Sequence, residues 1–76
     1  MTEFENFLSP GRKGHLIGIG GVSMSSLAEV LNGMGLNITG SDMNESSNVL
    51  NLRKKGIPVA IGHNAENITD DVEFVV

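Results

Sequence analysis

The chain has 76 residues and no cysteine, which makes one small domain with a modest core and no disulfide to support it. Nine acidic against five basic residues leave a net charge of −4, with no Trp, no Tyr and three Phe, so neither a basic face nor a stacking platform for nucleic acid is present. No run approaches the roughly 20 apolar residues of a membrane span, and the acidic start Met-Thr-Glu-Phe-Glu-Asn-Phe-Leu lacks the basic region of a secretory signal, so a cytoplasmic protein away from membranes is expected.

Residues 1–13 read as an N-terminal arm. Phe4, Phe7 and Leu8 fall on one helical face before Ser9-Pro10-Gly11 breaks it. Residues 14–76 read as the folded domain. His15 to Ile19 is a nearly all-apolar strand, as expected of a parallel strand covered on both faces. Gly18, Gly20 and Gly21 then make a turn. Met24, Leu27, Ala28, Leu31 and Met34 follow helical spacing and read as a core stripe, with Gly35 as the stop. Leu36 to Gly40 is a second strand, ended by Ser41 and Asp42. After a polar loop, Ser46 or Ser47 caps a second helix carrying Val49, Leu50 and Leu52. Arg53, Lys54 and Lys55 suit the negative end of that helix, and Gly56 closes it. Ile57 to Ile61 is a third strand, sent to a sheet edge by Pro58. Gly62-His63-Asn64 turns into a short helical stretch over Ala65 to Ile68, and Val72 to Val76 is the fourth strand.

Alternating elements of this kind predict an α/β fold: a Rossmann-like parallel sheet, truncated at four strands in the order 3-2-1-4, with helices on both faces. One connection strains the prediction. About ten residues join strands three and four, where a parallel crossover takes roughly a dozen or more.

The glycine turn is the main chemical feature. Gly18-x-Gly20-x-x-Ser23 is an imperfect dinucleotide fingerprint, placed between a strand and a helix as such a turn must be. Backbone N–H groups at the helix start, helped by the helix dipole, suit a phosphate; the plain alternative is a tight turn with no ligand. Asp42, 22 positions after Gly20, can accept from the hydroxyls of a nucleotide sugar or cap the loop that follows it. His63 falls at the C-terminal rim, where open α/β sheets bind ligands; His15 lies at the other end of its strand, so the two do not form a metal pair. No Gly-Lys-Ser/Thr phosphate loop and no nucleophile–base arrangement is present, so the chain reads as a binder and not as a complete catalyst.

His15-Leu-Ile-Gly-Ile-Gly-Gly-Val-Ser-Met-Ser, Ala28-Glu-Val-Leu, Gly40-Ser-Asp42, Glu45-Ser-Ser, Leu52 and Gly62-His63, in this order and spacing, resemble the N-terminal domain of the Mur ligases. The resemblance runs from about His15 to Val76. Ser23 stands where the family usually has glycine, and Val49 and Asn51 where it usually has Thr and Arg. The resemblance implies part of an ATP- and Mg-dependent enzyme of peptidoglycan synthesis, and Glu45-Ser46-Ser47 favours the branch that adds L-alanine to UDP-N-acetylmuramate over the branch that recycles cell-wall tripeptide. It implies that residues 14–76 hold the UDP part of that substrate, with Gly18, Gly20, Gly21, Val22, Ser23 and Met24 around the diphosphate and Ser41, Asp42 and His63 near the uridine. ATP, Mg and the catalytic residues would belong to other parts of the parent enzyme. Two other readings stay open: an NAD-binding domain of a redox or regulatory protein, and a structural piece that binds nothing. The open apolar edge of Val72 to Val76 is also expected to self-associate.

Overall fold

A computed structural model describes residues 10–62 and 67–76. Its elements in chain order are β1 (Lys13–Ile17), α1 (Val22–Gly33), β2 (Asn37–Asp42), α2 (Ser47–Lys54), β3 (Val59–Ile61) and β4 (Phe74–Val75). The strands form one parallel sheet in the order β3-β2-β1-β4, as the alternation predicts. Phe4, Phe7 and Leu8 of the expected arm, and His63 to Glu66, lie outside the described residues.

The strand boundaries differ from those expected, and pairing explains the shift. β1 begins two residues early because Lys13 pairs with Asn37, and it ends at Ile17, opposite Ser41. Ile19 has left the sheet and is fully buried below the turn. Ser41 and Asp42 continue β2 because β3 pairs with them through Ala60 and Ile61. Pro58 stays outside the ladder and contributes only its carbonyl, which accepts from Gly40 N–H at 3.0 Å. That is how an edge strand accommodates the missing donor. With β3 ending at Ile61 and β4 starting at Phe74, the third connection is longer than the expected boundaries allowed, and the parallel crossing is relieved of strain.

Both helices end in the same way. Gly35 and Gly56 adopt φ of 92° and 85°. Leu36 N–H returns to Leu31 O and Gly35 N–H to Asn32 O; Ile57 N–H returns to Leu52 O and Gly56 N–H to Arg53 O. These paired bonds satisfy carbonyls that a helix end leaves open, and the residue after each glycine drops into the core. Leu36 and Ile57 are accordingly buried. At the other end of α2, Ser46 Oγ accepts from Val49 N–H at 3.3 Å, so the expected serine cap is Ser46.

The core is one cluster in which Leu16 and Ile38 of the sheet meet Ala28 and Leu31 of α1 and Val49 and Leu52 of α2. A large apolar side chain buried to this degree contributes about 1.5–3 kcal/mol. The stripe expected on α1 is narrower than its spacing suggests. Ala28 and Leu31 are buried and Met24 packs against the cluster, whereas Leu27 and Met34 are exposed. α1 and α2 cover one face of the sheet. His15, Thr39 and Ser41 lie on the other, because side chains alternate across a strand. Of the short helical stretch expected over Ala65 to Ile68, Ala65 and Glu66 lie outside the described residues.

Four of the cations, Arg12, Lys13, Arg53 and Lys55, have structural partners. Arg53 donates to Val59 O at 2.8 Å and to Glu45 at 2.7 Å, tying α2 to β3, and Lys55 pairs with Glu29. Near β4, Glu73 accepts from Lys13 N–H at 2.9 Å and from Arg12 at 2.5 Å, while Asp71 pairs with the Lys13 ammonium. The Lys13 backbone N–H, followed by the Arg12 guanidinium, holds the Glu73 carboxyl below its usual pKa. The Lys13 ammonium and then the Thr69 hydroxyl do the same for Asp71.

Candidate functional site

The site grows from the point where β1 leaves the sheet. Gly18 takes φ of 74°, a left-handed conformation that costs a residue with a Cβ about 1–2 kcal/mol. This reversal turns the N–H groups of Gly18 and Ile19 onto one acceptor, Ser41 O, at 2.8 and 3.0 Å. Gly21 N–H closes the turn on Gly18 O at 3.0 Å. Ile19 anchors it from below, filling the space left by Gly40, where a Cβ would lie 2.4 Å from Ile19 Cδ1.

Gly20 is held from both sides. Its N–H donates to Asp42 Oδ2 at 2.9 Å, and its carbonyl accepts from Asn48 Nδ2 at 3.0 Å. The fit is close: a Cβ on Gly20 would stand 2.8 Å from Asp42 Oδ2 and 3.0 Å from Val49 Cγ2. Asp42 also accepts from Asn44 N–H through Oδ1 at 3.1 Å. Its carboxylate therefore braces the turn and shapes the loop after β2.

The start of α1 is left open. Gly21 is the N-cap and supplies no side-chain bond, and the first turn holds no acidic residue. The first helical bond at this end is Ser25 N–H to Gly21 O, at 2.7 Å. Among the described residues, the N–H groups of Val22, Ser23 and Met24 have no hydrogen-bond partner within the chain. Val22 is 79% exposed, and Ser23 is exposed beside it. Three unpaired donors at the positive end of a helix make a receptor for an anion. Among the described residues no Lys or Arg supports them. Arg12 and Lys13 lie at the opposite end of β1, and Arg53, Lys54 and Lys55 at the far end of α2. The attraction is dipolar and directional.

Comparison with known proteins shows which family the chain belongs to. Residues 13–76 match the family described as Mur ligase family, catalytic domain. UDP-N-acetylmuramate--L-alanine ligase of Brucella anthropi is 56% identical over 62 residues, covering 82% of this chain and 13% of the relative. The enzyme of the same name from Azorhizobium caulinodans is 55% identical over the same span and shares. A crystal structure of UDP-N-acetylmuramate-alanine ligase from Thermotoga maritima superposes with a TM-score of 0.74 at 40% identity, covering 76% of this chain and 14% of that one.

The chain belongs to the Mur ligase family.

It spans 13% of the length of the curated relatives named. In this Mur ligase segment the residues singled out from sequence fall into distinct places. Gly18, Gly20 and Gly21 build the turn, and the N–H groups of all three are already bonded within the chain. Val22, Ser23 and Met24 hold the open donors. Ser41 gives its carbonyl to the turn, but its side chain is buried on the opposite face, 3.4 Å from His15 Nε2. Asp42 reaches the turn directly. His63 lies outside the described residues, although Gly62 N–H beside it bonds Asp42 O at 2.8 Å. His15 sits inside β1 and not at its opening, and is buried with Nδ1 2.9 Å from Thr39 Oγ1. Asn48 was not visible from sequence. An asparagine in the first turn of a helix carries no motif, and only the packing of α2 against the turn brings it to Gly20.

No group of three or more metal-ligating side chains occurs among the described residues. With no Gly-Lys-Ser/Thr loop in the sequence, no residue of this chain is assigned to ATP or Mg. Among the described residues no helix is long and apolar enough to cross a membrane.

Proposed function

We propose that this chain is the UDP-holding part of a cytoplasmic, ATP- and Mg-dependent ligase that joins L-alanine to UDP-N-acetylmuramate in peptidoglycan synthesis. The observation that carries the reading is the set of unpaired N–H groups on Val22, Ser23 and Met24 at a glycine turn, in a chain of the Mur ligase family. The relatives named above support the choice of substrate. The turn receives the diphosphate: Gly18, Gly20 and Gly21 bring the backbone close, and Val22 to Met24 donate. Ser23 adds a hydroxyl at the helix start. Asp42 sets the orientation of the turn and lies nearest the place for the uridine; the family resemblance assigns Ser41 and His63 to the uridine as well. The chain's part in the reaction is to bind and orient the nucleotide end of the substrate, with no catalytic residue of its own. ATP and Mg would be held by other parts of the parent enzyme.

The exposed Val75 of the outer strand, with exposed Val76 just after it, supports self-association of the chain along β4. The test of the binding site is an amide chemical-shift titration of the chain with UDP, UDP-N-acetylmuramate and NAD. The two uridine ligands are expected to move the Val22, Ser23 and Met24 amides most. If NAD moves the Gly18–Met24 amides and UDP does not, the ligase reading of the site fails in favour of a nicotinamide one.

A further inference from the structure

Gly20 is gripped by two side chains from different elements. Asp42, at the end of β2, takes its N–H; Asn48, in the first turn of α2, gives a hydrogen bond to its carbonyl. These are two successive peptide groups, so the pair together fixes both backbone torsions of Gly20. That matters because Gly20 carries no side chain to limit its own rotation. The peptide whose carbonyl Asn48 holds leads straight into Gly21, the N-cap of α1, and so to the donors of Val22, Ser23 and Met24.

We propose that Asn48 is a positioning residue for the phosphate site: it holds the Gly20–Gly21 peptide so that the open amides at the start of α1 are aimed before the ligand arrives. This rests on the phosphate reading of the turn. Preorganised donors bind better than donors that must be ordered on binding, since the ordering cost is already met in the free protein. The coupling also runs from α2 to α1. The Ser46 cap sets the first turn of α2, that turn places Asn48, and Asn48 places the turn before α1.

Asn48→Ala separates this role from general stability. Alanine is the better helix former, so the substitution leaves α2 intact while removing the hydrogen bond to Gly20. Asn51→Ala, the same change on an exposed position of α2, is the control. Affinity for UDP and for inorganic pyrophosphate is measured by amide-shift titration of the full chain. Backbone order of residues 20–24 is measured by 15N relaxation without ligand. The loss of one hydrogen bond predicts binding weakened by about 3- to 10-fold in Asn48→Ala, with increased motion at Gly20 to Ser23 and unchanged shifts in β1 and β2. Asn51→Ala should match the wild type. If Asn48→Ala disturbs the fold, Asn48→Ser, too short to reach Gly20 O, is expected to give the same loss. A wild-type chain that binds, with Asn48→Ala binding equally or keeping residues 20–24 equally ordered, overturns the role of Asn48 alone. A wild-type chain that binds neither UDP nor pyrophosphate overturns the phosphate reading beneath it.

Discussion

Gly20→Ala is the most discriminating change in this molecule. Gly20 does not adopt positive φ, so alanine meets no backbone penalty there; the whole cost is contact. The new Cβ would lie 2.8 Å from Asp42 Oδ2 and 3.0 Å from Val49 Cγ2. Val49 is fully buried and has little room to move, so Asp42 must yield. The Gly20 N–H to Asp42 bond is then lost, at about 1.5–3 kcal/mol for a bond to a charged group, and crowding of Val49 adds about 1 kcal/mol. We expect destabilisation of roughly 2.5–4 kcal/mol, a large share of the total for a domain of this size, and a fall in Tm of about 10–30 °C. Urea unfolding followed by circular dichroism measures it. Asp42→Ala completes a double-mutant cycle: with the carboxylate gone, Gly20→Ala should cost less, with a coupling above about 0.5 kcal/mol. Additive effects, or a Gly20→Ala protein within about 0.5 kcal/mol of the wild type, would refute the reasoning. Gly18→Ala provides the contrast. A Cβ there meets nothing within 4 Å, so its cost is the left-handed backbone alone, about 1–2 kcal/mol, and it should not couple to Asp42.

The ion pairs at β4 predict an acid response. Glu73 and Asp71 have pKa values lowered in the folded chain, so their stabilisation is present above the unfolded-state values and disappears as pH falls through the folded ones. Glu73→Gln should therefore melt below the wild type at neutral pH, and the gap should close in acid as the wild-type carboxyl takes its proton. A gap that persists below pH about 2, or a Glu73 carboxyl that titrates above the usual glutamate value of about 4.3, would contradict the arrangement. Self-association along β4 should appear in light scattering at high micromolar concentration as a mass above the 8.0 kDa monomer. A strictly monomeric sample would dismiss it.

Much of the fold was legible because it is written in local rules. Periodicity and glycine placement marked both helices, and Gly35 and Gly56 take the left-handed positions that their places after helical runs require. Pro58 identified β3 as an edge strand before any pairing was known. Strand ends were less legible. Hydrophobicity assigned Ile19 to β1, but an apolar residue can be buried from a turn as well as from a strand, and only pairing with β2 shows where the ladder stops.

The site divides along the same line. The sequence by itself determined that a glycine turn joins a strand to a helix and that Asp42 follows at the end of the next strand, because both are statements about neighbours along the chain. Tertiary structure alone decided which groups the turn leaves open. It uses the Gly20 amide on Asp42, turns the Ser41 side chain to the far face beside His15, and brings Asn48 to Gly20 from 28 positions away. The reason is physical: a backbone donor is available to a ligand only when nothing in the folded chain has taken it. Which donors are taken depends on how β2 and α2 pack against the turn, and no local pattern in the sequence records that packing.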